Sequence, residues 1–149
     1  MKMQEILKST GLVSIVHTDS NGIILDNFTV PNLVTTVGKG HIAAKIVAIT
    51  NSPLSMTHMA IGTNITAAAV ENIALGVEAG RVALSTSIVS TNTVTYTATF
   101  PPGTGTGAIT EAGIFNDGTT GTMLCRTTFP IVTKSSGDTV AFTWVITVS

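Results

Sequence analysis

Thr93-Val94-Thr95-Tyr96-Thr97-Ala98-Thr99-Phe100 alternates threonine with an apolar residue at every step. A helix would scatter those apolar side chains around its circumference. A strand collects Val94, Tyr96, Ala98 and Phe100 on one face and leaves a ladder of hydroxyls on the other. The stretch is therefore a strand with one buried face. The run ending the chain has the same period, with Val140, Phe142, Trp144, Ile146 and Val148 on one side and Ala141, Thr143, Val145 and Thr147 on the other.

Working outward, Gly11 to Thr18 and Ile23 to Val30 flank Asp19-Ser20-Asn21-Gly22, a polar turn whose Asn-Gly step tolerates positive φ, so the pair reads as a β-hairpin. Arg81 to Val89, Ala108 to Asn116 and Thr122 to Ile131 supply further strands, punctuated by Asn116-Asp117-Gly118 and Ser135-Ser136-Gly137-Asp138. Threonine outnumbers all charged residues together, and branching at Cβ favours pleated, half-buried strands. The expected fold is mainly β: an antiparallel, jelly-roll-like β-sandwich with one short helix. That helix is Gly38 to Ile49, where Ile42, Ile46 and Ile49 recur at helical spacing after Thr35 and Thr36 as N-cap candidates. Ala67 to Leu75 reads as a second, weaker helix or as an extended loop. Pro101-Pro102-Gly103-Thr104-Gly105-Thr106-Gly107 belongs to neither element and makes an exposed connection.

At 149 residues, with no internal repeat or shift in composition, residues 1–149 form a single domain, with a short N-terminal arm over about residues 1–10. Charged residues make up only 10% of the chain and mean hydropathy is +0.48, so its surface is neutral and suited to burial against other subunits. A net charge of −1 with scattered Lys and Arg offers no field for phosphates, which argues against a nucleic-acid partner. No apolar run is long enough to span a bilayer, the N-terminus lacks the apolar core of an export signal, and the single cysteine, Cys125, excludes an internal disulfide. Folding in a reducing host cytoplasm is expected.

Catalytic and metal-binding patterns are missing. His17, His41 and His58 lack the spacing of zinc ligands, and Asp19 and Asp117 are accounted for by turn geometry. Gly38-Lys39-Gly40 fails as a phosphate loop, because Leu33 stands where the first glycine is needed and Gly40 where Ser or Thr is needed. No enzyme, metal or cofactor is expected. The charges that stand out are Glu78, Arg81, Glu111, Arg126 and Lys134. Charges embedded in strands are costly to bury alone. Glu111 is therefore expected to accept hydrogen bonds from Arg81 or Arg126 and fix strand register; otherwise all five are solvated edge charges.

Several short strings occur in an ordered series: Asn32 to Thr35, Gly38-Lys39, Ala60 to Thr63, Leu75-Gly76-Val77-Glu78-Ala79-Gly80-Arg81, Glu111 to Phe115, Arg126 with Phe129, Lys134, and Trp144-Val145-Ile146. In this order they resemble a group of short virion proteins of tailed bacteriophages, departing from its pattern at Asn64, where a second glycine is common. The resemblance implies a β-sandwich used in decoration or cement proteins of phage heads and in tail-fibre modules. The stand-alone length favours a cement or decoration protein on the capsid exterior, binding the major capsid protein as a homotrimer at threefold lattice sites. A tail-fibre, collar or baseplate module that docks a fibre or recognises a host is the alternative. Met1, Lys2, Ile6 and Leu7 of the arm, and Pro101 and Pro102 of the loop, are the expected inter-subunit contacts.

Overall fold

The structure, a computed structural model, describes residues 3–47 and 53–149. Its elements, in chain order, are β1 (Ser9–Thr18), β2 (Ile24–Pro31), β3 (Leu33–Val34), α1 (Thr36–Ile46), β4 (His58–Gly62), β5 (Glu78–Ala83), β6 (Thr86–Ser90), β7 (Thr93–Phe100), β8 (Gly107–Phe115), β9 (Met123–Lys134) and β10 (Thr139–Val148). They form two five-stranded antiparallel sheets, sheet I in the order β2-β1-β10-β7-β6 and sheet II in the order β3-β9-β8-β4-β5. The fold is a mainly β sandwich with one short helix, as the alternating runs require. Four pairs of consecutive strands lie side by side, so hairpins are the commonest unit.

The core lies between the sheets and follows the two-residue period. Val13 and Ile15 of β1, Val140, Phe142, Trp144 and Ile146 of β10, and Ala98 and Phe100 of β7 face Met59 and Ile61 of β4, Ile109, Ala112 and Ile114 of β8, and Val132 of β9. Phe142 sits among other rings, edge-on to Phe100 at 5.6 Å and tilted against Phe129 at 6.1 Å between centroids. Such offset pairs add roughly 0.5–1.5 kcal/mol each beyond the area they bury.

Three expectations are corrected. Arg81 to Val89 is not one strand. It divides between β5 in sheet II and β6 in sheet I, and the chain changes sheets at Leu84 and Ser85, whose amides donate to Thr57 O at 2.8 Å and Thr97 O at 2.7 Å. No Gly, Pro, Asn or Asp marks that corner. Second, β1 begins at Ser9, and Lys8 already pairs with Ser149 through two backbone hydrogen bonds of 2.6 and 2.8 Å, so the arm ends before Lys8.

Third, helix α1 does not bury its isoleucine stripe. Gly38 and His41 are its buried residues, Ile42 is half-buried against the core, and Ile46 is 74% exposed; Ile49 lies outside the described residues. The packing is set by backbone approach. Thr35 caps the helix, accepting from Gly38 N at 3.1 Å while its own hydroxyl donates to Met123 O at 2.8 Å, and a Cβ on Gly38 would lie 2.0 Å from Leu124 O. Of the two readings of Ala67 to Leu75, a weak helix or a loop, the structure has the loop.

Gly40 on the same helix has open space where a Cβ would stand. Gly40→Ala should leave thermal stability unchanged or raise it by up to about 1 kcal/mol through helix propensity. Gly38→Ala should destabilise by roughly 1–3 kcal/mol through overpacking against β9. Equal melting shifts for the two variants would contradict this packing.

Candidate functional site

The outer face of sheet II, exposed farther along at Ala108 and Thr133, is closed to solvent over β4 and the adjoining parts of β8 and β9. Ala60, Leu75, Phe115 and Met123 form a small second cluster there, on the side of β4 opposite Met59 and Ile61. Strand register places Arg81, Ala60, Gly113 and Arg126 in one row across β5, β4, β8 and β9, with Glu78, Gly62 and Glu111 in another. The small residues in the middle of these rows leave a trough, and the loop of residues 63–77 crosses it.

Glu111 holds that loop down. Its carboxylate is fully buried and accepts from Val77 N at 2.9 Å and Asn64 N at 3.2 Å through Oε1, and from Gly76 N at 3.0 Å and Arg126 Nε at 2.9 Å through Oε2. Arg126, 2% exposed, completes the clamp with its remaining nitrogens, donating to Asn72 Oδ1 at 3.0 Å and Thr66 O at 2.9 Å. Burial is the largest single influence on Glu111 and pushes its pKa up, but the donors from Val77, Gly76, Arg126 and Asn64 together hold it below the usual glutamate value of 4.5. A Cβ on Gly62 would lie 2.5 Å from Glu111 Oε1, and one on Gly76 1.8 Å from Asn64 Nδ2, so both glycines belong to the clamp.

Of the two arginines considered for Glu111, Arg126 is therefore its partner. Arg81 instead binds Glu78 through two parallel hydrogen bonds of 2.9 and 2.7 Å, donates to Asp117 O and Thr120 O, and stacks 3.9 Å from the centroid of the Phe115 ring. It fastens the β8–β9 turn to β5. Lys134 is 1% exposed and donates to Pro101 O at 2.9 Å. Glu111, Arg126 and Lys134 are thus buried rather than solvated.

A second polar cluster was not anticipated from the sequence. His17, 2% exposed, lies between two carboxylates, with Nδ1 2.8 Å from Asp26 Oδ2 and Nε2 2.8 Å from Asp138 Oδ2. A neutral imidazole has one N–H, so carboxylate acceptors at both nitrogens call for the imidazolium. Burial, the largest single influence, would lower the pKa of His17, yet the hydrogen bonds and charges of Asp26 and Asp138 together raise it above 6.5. Asp138 is held below 3.8, first by its hydrogen bond from His17 and then by the amide of Ser135. Half of this cluster had a signal: the register about the Asp19 to Gly22 turn sets His17 opposite Asp26. Asp138 arrives from a distant turn, and nothing local announces it.

Ile6 and Leu7 are 62% and 69% exposed, and Pro101 and Pro102 are exposed; Met1 and Lys2 lie outside the described residues. The Pro-Gly loop is less free than its composition suggests. Gly105 is buried against Ile61, and Gly103 N donates to Ser136 O at 2.8 Å. Leu7 borders a groove of about 450 Å³ whose other wall is Lys39, Ile42 and Ile46 of α1. Cys125 is buried, and burial pushes its thiol pKa up. Among the described residues, no three His, Cys, Asp or Glu side chains gather in a way that could hold a metal ion. No family model, no curated protein and no solved structure matches this chain.

Glu111→Gln puts an amide donor where only acceptors fit and leaves Arg126 buried without its counter-charge. Chemical denaturation should show a loss of about 3–5 kcal/mol, with residues 63–77 becoming sensitive to protease before the rest of the sandwich. An unchanged denaturation midpoint would contradict the clamp.

The pH dependence has two limbs. The stabilisation from His17 is complete below its unfolded pKa near 6.5 and is lost as pH rises through the raised folded value. That from Glu111 and Asp138 is present above their unfolded values of 4.5 and 3.8 and is lost as pH falls through the depressed folded ones. Melting temperature should therefore peak in mildly acidic buffer. His17→Gln should flatten the alkaline limb and reduce the acid limb toward the part that Glu111 supplies, which thermal melts from pH 4 to 9 would read.

Proposed function

We propose that this chain is a structural component of a tailed-bacteriophage particle, a cement or decoration protein that binds the outside of the head. One observation carries the reading: from Ser9 of β1 through Val148 of β10, no strand residue on the outer face of sheet I is charged. Register places Pro31, Leu12, Val145, Thr95 and Ile88 in one row across the five strands, and Thr29, Ser14, Thr143, Thr97 and Thr86 in the next. Asn27, Val16, Ala141 and Thr99 follow on one side, and Thr10, Thr147, Thr93 and Ser90 on the other. An isolated sandwich normally keeps charges on such a face for solubility. A face of threonines and aliphatics suits burial on a neutral protein surface, where hydroxyls pair in either direction and no charge needs desolvating. The resemblance of the ordered strings to those of phage virion proteins favours the same reading.

In this role the protein works mechanically. A rigid sandwich laid across neighbouring capsid subunits binds the assembled shell and not its separated parts, so its binding free energy adds to the stability of the shell. The exposed arm, with Met3 97% exposed beside Ile6 and Leu7, reaches the neighbouring subunit.

Quantifying this protein in purified particles tests the reading. A copy number comparable with that of the major capsid protein is expected, whereas a handful per particle would move it to the tail, and absence from particles would overturn the reading. Removing residues 1–7 stops short of the Lys8–Ser149 pairing, so the truncated protein should melt like the full chain but occupy fewer head sites. Full occupancy would contradict the part given to the arm.

A further inference from the structure

Two sheets have four edges, and three of these are guarded. β2 carries Asp26 and Pro31 and pairs with β1 through a register shift at His17/Thr18. β3 is two residues long and leads at once into α1. β5 carries Glu78 and Arg81, and its pairing with β4 shifts register at Ile61/Gly62. β6, Thr86-Ser87-Ile88-Val89-Ser90, has no such device. It contains no charge and no proline, pairs with β7 without a register shift, and is exposed at all five residues, with Ile88 at 58% and Val89 at 73%. Natural sheets blunt their edges because unpaired N–H and C=O groups are a template for another strand. Leaving one edge of four unblunted, with exposed isoleucine and valine on it, marks that edge for pairing.

We infer that β6 pairs with β6 of a second copy of this chain, antiparallel about a two-fold axis at Ile88, joining two copies of sheet I into one ten-stranded sheet. Charge selects the occupant. A strand laid along β6 meets no charge with which to pair its own, and β6 is the five-residue edge of this chain that brings none. The pairing sets Thr86 opposite Ser90, Ser87 opposite Val89, and Ile88 opposite its own counterpart, so isoleucine meets isoleucine at the centre and hydroxyl meets hydroxyl at the rim. It also makes the two uncharged outer faces continuous. Five residue pairs cover less than the roughly 1,000 Å² of total area that a stable complex buries, so association of free protein should be weak and concentration-dependent. The inference stands whether or not the chain belongs to a virion.

Cysteine crosslinking and sedimentation test it together. Residues directly opposite across an antiparallel pair have Cβ atoms roughly 4.5–5.5 Å apart, near disulfide range, so Ile88→Cys should form a covalent dimer under mild oxidation. Leu12→Cys, 52% exposed on the same sheet but in a central strand, should not, and the buried Cys125 keeps the unmodified chain free of crosslinks. In sedimentation, the unmodified protein should pass from monomer to dimer as concentration rises. Ile88→Lys should remain monomeric and melt at the same temperature, because this side chain is already exposed. Monomer at every concentration, equal crosslinking of the two cysteine variants, or a dimer or trimer that survives Ile88→Lys would each overturn the pairing.

Discussion

A carboxylate taken wholly out of water must be met by donors on all sides, and Glu111 is where this chain meets that demand. The cost of burying the ion is several kcal/mol, and it is offset only when Arg126 and the amides of Asn64, Gly76 and Val77 converge on the two oxygens together. The loop of residues 63–77 therefore has one acceptable path across sheet II. Its glycines follow from that path. Ala60 to Thr63, Leu75 to Arg81, Glu111 to Phe115 and Arg126, separate strings in the sequence, thus turn out to be the parts of a single cluster.

The two outer faces of the sandwich are handled in opposite ways. Sheet II is covered by its own chain, with Glu111, Arg126, Arg81 and Glu78 concentrated there in paired form. On the outer face of sheet I the strands carry no charge, and among the described residues no segment crosses it. The asymmetry gives the molecule two unlike sides, one crossed by its own chain and fastened by paired charges, the other a neutral surface of threonines and aliphatics.

Much of the fold was legible because the strands of sheet I are half-buried and alternate cleanly. Thr93 to Phe100 and Val140 to Val148 could hardly be read otherwise, and the β1–β2 hairpin was announced by Asn21-Gly22. Sheet II was harder to read. β4 and β8 are buried on both faces, so period two fades there: Met59, Ala60 and Ile61 are all inside. The passage from β5 to β6 has no turn residue to mark it. The helix misled because glycine, not isoleucine, governs how closely it approaches β9. At the polar clusters the sequence named Glu111, Arg126 and Arg81 but left open which arginine met the carboxylate, since register across four strands decides that. The His17 cluster needed Asp138 from the far end of the chain, and such a meeting has no local signature.

β1 and β10 pair over ten residues, although nearly the whole sequence separates them. Until β10 has been synthesised, one long edge of β1 has no neighbour, and Val13 and Ile15 sit in a two-stranded hairpin rather than at the centre of a sheet. Sheet I therefore cannot close progressively from one end during translation. Its β1–β2 and β6–β7 hairpins can form early, but joining them into one sheet waits for β10, and until then β1 keeps a β-prone edge open to other chains.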